Sequence, residues 1–152
     1  MVKIPYFQQE TEYTCGPAAM RMVLAALGIE KTEKELAKLM RTGKVYGTQN
    51  KRLPRLAEKF KLDHATVRNG NIEELKKFLK EGYLIIVGYY SKLEVTGHFA
   101  VVKKIGKNYI YLLDPKMGPD LKYSHNYFLK IWHNDPDGTD REDHWFFAIR
   151  NA

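Results

Sequence analysis

Apolar residues along this chain change their spacing near its middle, from helical recurrence to short strand-like runs. After Thr14-Cys15-Gly16, the residues Ala18, Ala19, Met22, Val23, Ala26 and Leu27 recur at helical spacing. Pro17 sits in the first turn and Gly28 ends the run, which places Cys15 at a helix N-terminus. Thr32 with Glu35 has the spacing of a capping box, opening a second helix through Leu36, Leu39 and Met40 that stops near Gly43. A third helix is predicted over residues 50–60, with Pro54 either in its first turn or kinking it. Asn71 with Glu74 opens a fourth, through Leu75, Phe78 and Leu79, closed by Gly82.

Beyond Gly82, residues 83–90, 97–105, 108–113 and 145–150 are short runs rich in β-branched and aromatic side chains, and each predicts a strand. Residues 64–68 can add an edge strand, residues 127–132 a short helix, and residues 133–143 read as a polar, acidic loop. Helices followed by an antiparallel sheet make an α+β layout, with N-terminal helices packed on a C-terminal sheet. No repeat or linker interrupts the chain, so residues 1–152 are expected to pack as one domain.

Composition narrows the function. The formal charge is +7, and ten Lys/Arg fall between Glu30 and Lys61 against four Glu. These are mostly lysines on amphipathic helices with few aromatics between them, which fits a solvated helix surface and argues against a nucleic-acid partner. No signal-peptide core and no run of about 20 apolar residues is present, so no membrane association is expected and a cytoplasmic location is predicted. With Met1 close to Cys15, no inhibitory pro-segment is expected. The single cysteine forbids an internal disulfide or a thiolate-rich zinc site, and no cofactor is implied.

Cys15 must therefore be explained alone: as a small buried hydrophobe, or as a nucleophile. A thiol attacks carbonyls as the thiolate, and an unperturbed thiol with a pKa of about 8.5 is only a few per cent ionised at neutral pH. A helix N-terminus supplies part of the needed stabilisation, and a neighbouring imidazolium supplies the rest. Among the five histidines, His98 stands out because it begins the apolar run Gly97-His98-Phe99-Ala100-Val101-Val102. Gly106-Lys107-Asn108 reads as a tight connection, after which residues 109–113 return antiparallel and end in Asp114-Pro115. A three-residue loop sets position 114 opposite position 100 and makes Asp114 the diagonal neighbour of His98, unless Asp114-Pro115 merely starts a turn. The oxyanion of a tetrahedral intermediate needs donors, and the Cys15 N–H with a side-chain amide from Gln8 or Gln9 can provide them.

These residues resemble a known family. Ile4-Pro5-Tyr6-Phe7 with Gln9, Cys15-Gly16-Pro17-Ala18 leading into Met22-Val23-Leu24, and the later Leu112-Leu113-Asp114-Pro115 with Gly118 are similar to the double-glycine cysteine peptidases, family thirty-nine of that catalytic type. Phe128 and Trp132 also match the family's short helix after the Asp. The resemblance implies a papain-like fold and peptide-bond hydrolysis through a thioester acyl-enzyme. It assigns Cys15 as nucleophile, His98 as base, Asp114 as its orienting partner, and Gln9 rather than Gln8 as the oxyanion donor. Without transporter segments, the chain looks like the stand-alone branch, and the double-glycine preference is not implied. A peptide or protein is the expected substrate.

Two other classes share these residue types. A papain-fold acyl transferase uses the same Cys, His, Asp order with an amine as second acceptor. A non-catalytic module would bind a peptide, or nucleic acid through the basic helices. A metal site is the weakest reading: His133, His144, Asp135, Asp137, Asp140 and Asp143 share one segment, but its spacing misses the calcium-loop pattern. That segment also fits a flap beside the active site whose acids select basic substrates.

Overall fold

A computed structural model describes residues 3–135, 138 and 141–152. Its elements run α1 (Cys15–Ala26), α2 (Glu33–Leu39), α3 (Arg52–Lys59), β1 (Asp63–Val67), α4 (Ile72–Lys80), β2 (Leu84–Ser91), β3 (Thr96–Ile105), β4 (Tyr109–Asp114), β5 (Gly118–Ser124), α5 (His125–Ile131) and β6 (Phe146–Arg150). The strands form one antiparallel sheet in the order β1-β6-β2-β3-β4-β5. The C-terminal strand β6 is thus inserted between β1 and β2.

The helix ends follow the local chemistry. Thr32 accepts from the Glu35 N–H while the Glu35 carboxylate takes the Thr32 N–H, a complete capping box, and Asn71 accepts from the Glu74 N–H. Pro54 lies in the first turn of α3, where its missing N–H costs no helical bond. Strand parity then builds two cores. Leu84 and Ile86 of β2, Phe99 and Val101 of β3, and Phe147 and Ile149 of β6 face α1, α2 and α3. Ile85, Val87 and Tyr89, with Ala100, Val102, Phe146 and Ala148, face α4 and α5. Helices therefore cover both faces of the sheet.

Two features depart from the expected strands. β5 went unpredicted, because Gly118-Pro119-Asp120 opens it with residues that disfavour strands; it survives as an edge strand, where a proline deprives no neighbour. The connection between β3 and β4 is one residue longer than expected, since Ile105 pairs with Ile110. A bulge between Val102 and Lys104 takes up that residue, and Val101 pairs with Leu113. Continued by one step, this register sets position 114 opposite position 100, the alignment that places Asp114 near His98.

Two glycines permit close packing around the ends of α1 and β3. A Cβ on Gly16 would lie 2.6 Å from Thr48 Oγ1, and one on Gly97 would lie 2.6 Å from the Asn134 carbonyl oxygen. Gly16→Ala and Gly97→Ala are each expected to lower stability by about 1–3 kcal/mol, the usual cost of overpacking. Gly43→Ala, with open space around it, should change it little. Urea unfolding of the three variants checks this, and equal stability across them would remove the packing argument.

Candidate functional site

Cys15 is the first residue of α1 and is partly exposed. The helix end leaves backbone N–H groups free there, and its dipole favours a negative charge on the sulfur. His98 comes from β3, directly opposite Tyr89 of β2. It is 6% exposed, and its Nε2 lies 2.9 Å from Asp114 Oδ1. Cys15 lines the same groove as this imidazole and lies close enough to act on its proton balance. With Nε2 committed to Asp114, Nδ1 is the nitrogen left for the sulfur. Burial pulls the His98 pKa down, but the hydrogen bonds to Asp114 and Cys15, and the charges behind them, outweigh it and push it up to about 10.

Asp114 has no exposed surface. A carboxylate stripped of water costs several kcal/mol unless its lone pairs are taken up. Here they are. Besides His98, Oδ1 accepts from the Lys116 and Met117 N–H groups at 2.9 and 2.8 Å, and Oδ2 accepts from the Tyr89 hydroxyl. Burial raises the Asp114 pKa, yet the His98 bond and charge and the Tyr89 hydroxyl prevail and hold it below the usual carboxylate range. Burial and the Asp114 charge together push the Tyr89 phenol upward, so it stays a donor.

The turn after Asp114 also anchors the N-terminal segment. Tyr6 donates its hydroxyl to the Asp114 carbonyl at 2.6 Å, and the Gln9 N–H donates to the Pro115 carbonyl at 2.9 Å. The Gln9 side chain gives one Nε2 hydrogen to the Thr11 carbonyl at 2.7 Å. Its second Nε2 hydrogen remains for another acceptor. Gln9, Cys15 and His98 line one open groove of about 1480 Å³, and Gln8 does not border it. The sheet register and the 114–117 turn thus bring the four sequence-selected residues to one place.

Opposite charges largely offset each other along the groove. Arg68 pairs with Glu142 at 2.6 Å, and Lys116 lies 3.7 Å from Glu12 and 3.6 Å from Glu94. Asn134, Asp135, Arg141 and Glu142 border it, so the described ends of the acidic segment do flank the site. Glu142 is already tied to Arg68 and Asn50, which removes much of its pull on a basic substrate. Asp137 and Asp140 lie outside the described residues, and among the described residues no group of His, Cys, Asp and Glu could hold a metal ion. No helix of the described chain is long and apolar enough to cross a membrane.

Sequence reasoning missed Tyr89 and Glu33. Tyr89 carried a signal, since a phenol inside an apolar strand needs a hydrogen-bond partner. Its position opposite His98 depends on the register of the β2–β3 hairpin, which the residues of that turn do not dictate. Glu33 sits beside Glu35 in a helix first turn, and nothing in the sequence separates the buried glutamate from the exposed one.

Comparison with known proteins agrees with this architecture. Residues 3–135 match the Peptidase C39 family. An uncharacterized protein of Methanothermobacter marburgensis is 31% identical over 136 residues, covering 90% of this chain and 88% of that one. The peptidase domain of Streptococcus ComA, a bi-functional ABC transporter of a quorum-sensing pathway, superposes with a TM-score of 0.76 at 20% identity, covering 98% of this chain and all of that domain. A C39-like protein from Bacillus anthracis superposes with a TM-score of 0.77 at 16% identity, covering 100% and 96% of the two chains. These structural likenesses fix the fold as the papain-like α+β fold of C39 peptidase domains. With most of its length matched to the family, the chain belongs to the peptidase C39 family.

Proposed function

We propose that this protein is a cysteine peptidase in which Cys15 attacks a peptide carbonyl and His98 serves as base and acid. The observation that carries the reading is the buried His98–Asp114 pair at 2.9 Å, set in the groove that Cys15 and Gln9 also line. The raised His98 pKa supports an imidazolium at neutral pH, the partner that a nucleophilic sulfur needs. Attack by the thiolate gives a tetrahedral intermediate whose oxygen is held by the Cys15 N–H and the free Nε2 hydrogen of Gln9. His98 then protonates the leaving amine, and the thioester is hydrolysed by water that the neutral imidazole activates. Asp114 fixes the imidazole's orientation and tautomer without itself accepting the proton. An open groove flanked by loops suits an extended peptide better than a small ligand. The ComA transporter domain and a double-glycine motif protease crystallised with a leader peptide share the fold, which supports a peptide substrate.

Cys15→Ala and His98→Ala are expected to abolish hydrolysis of a peptide library, whereas Asp114→Asn should retain a residue of it. Full activity in Cys15→Ala would refute the mechanism. The expected product is the free acid even with a competing amine present; preferential transfer to the amine would make the chain an acyl transferase.

Tyr89→Phe removes one donor from a carboxylate that water cannot reach. The orphaned oxygen is expected to cost about 1–3 kcal/mol of stability. Acid unfolding should then begin at higher pH, because Asp114 is left less able to stay charged. Scanning fluorimetry across pH reads both effects, and an unchanged acid limb would dismiss the role given to Tyr89.

The His98 charge also makes stability depend on pH. Its folded pKa lies above the unfolded value of about 6.5, so its contribution is complete below that pH and drains as pH climbs toward 10. Asp114 works in the opposite sense: its contribution is present above about 3.9 and lost as pH falls through its depressed folded value. The stability gap between wild type and His98→Gln should therefore narrow from pH 6 to pH 10 in urea melts; a widening gap would contradict the assigned charge.

A further inference from the structure

Glu33 opens α2 and is 2% exposed; with Asp114 it is one of two carboxylates among the described buried residues. Its place in a helix first turn does not explain its burial, since the exposed Glu35 meets the same helix end from water. Its bonds do. Oε2 accepts from the Glu10 N–H at 2.7 Å and from the Thr14 hydroxyl at 2.8 Å. Oε1 is buried and has no hydrogen-bond partner among the described residues.

The two donors have a particular position in the chain. Glu10 follows Gln9, and Thr14 precedes Cys15. One carboxylate oxygen therefore gathers the residues next to both of the groups that would hold an oxyanion. Between them the loop is tied to itself, with the Thr11 N–H 3.2 Å from Thr14 Oγ1 and the Gln9 amide 2.7 Å from the Thr11 carbonyl. Thr14 occupies the N-cap of α1 yet makes no side-chain cap; its hydroxyl donates to Glu33 and its oxygen accepts from the Thr11 N–H. A residue type that ordinarily stabilises a helix end has been turned to another use.

We propose that Glu33 is a positioning residue that sets the spacing between the Gln9 amide and the Cys15 N–H, and hence the fit of the oxyanion. The inference rests on the peptidase reading above. Glu33 touches neither substrate nor the reacting atoms, and Glu10 and Arg21 are the charged groups that bear on it. Its effect is confined to steps that create a negative oxygen.

Two reagents separate that effect from damage to the nucleophile. A peptide aldehyde forms a hemithioacetal with Cys15 and needs the oxyanion donors; iodoacetamide alkylates the same sulfur by displacement and does not. Glu33→Ala is expected to lower kcat by about 10²-fold, the scale of losing one oxyanion donor, with KM little changed. Aldehyde affinity should weaken in parallel, while the alkylation rate stays within about twofold. Glu33→Gln keeps an acceptor oxygen for both donors and should restore most activity. Should Glu33→Ala fail to fold, Thr14→Val removes one of the two bonds and should show the same split, with Thr14→Ser restoring it. Parallel loss of aldehyde binding and alkylation, or loss of neither, overturns the inference. A wild-type chain that binds no aldehyde overturns the peptidase reading with it, whereas wild-type binding left unchanged by the variants overturns the inference alone.

Discussion

A carboxylate with no exposed surface is the constraint around which this molecule is arranged. Asp114 can remain ionised at zero exposure only because four donors converge on it, from β2, from β3 and from the turn that follows it. Each of those donors fixes something else. The Tyr89 hydroxyl ties β2 to the end of β4, the 116–117 amides set the turn into β5, and the His98 bond aims the imidazole at the start of α1. Because unpaired charge in such a place is costly, small displacements of any of these elements are resisted. The precision of the site is a by-product of satisfying one buried group.

The N-terminal segment is drawn into the same arrangement. Tyr6 and Gln9 bond to carbonyls of residues 114 and 115, so the turn that carries Asp114 also locates Gln9 along the groove that Cys15 lines. Glu33 performs the corresponding task from the other direction, through α2. Elements distant in sequence are thereby held in mutual register. Within this network, Gln9 Oε1 and Glu33 Oε1 are buried atoms that lack a hydrogen-bond partner among the described residues.

Much of this was legible in the sequence, and the exceptions have physical causes. Helix starts could be read because Thr32, Asn71 and Pro54 act within a few residues of themselves. The His98–Asp114 alignment could be read as well, although a longer turn and a bulge near Lys103 compensate each other to produce it. Such cancellation leaves no trace in a local pattern. β5 was hidden because an edge strand tolerates Pro119 and needs no apolar run. The insertion of β6 between β1 and β2 depends on long-range pairing, and so does the distribution of helices over both faces. Tyr89 and Glu33 acquire their meaning only from partners 25 and 19 residues away.

The position of β6 has a consequence for how the molecule comes into being. Among the described residues β1 finds its one sheet neighbour in β6, and β2 has one side open until β6 arrives. At 5–20 residues per second, synthesis separates Cys15 from that strand by roughly ten seconds. Until β6 is made, β1 lacks its partner and β2 lacks the neighbour on one of its sides. The groove that His98 lines is therefore finished late, and strand order sets the final step of its assembly.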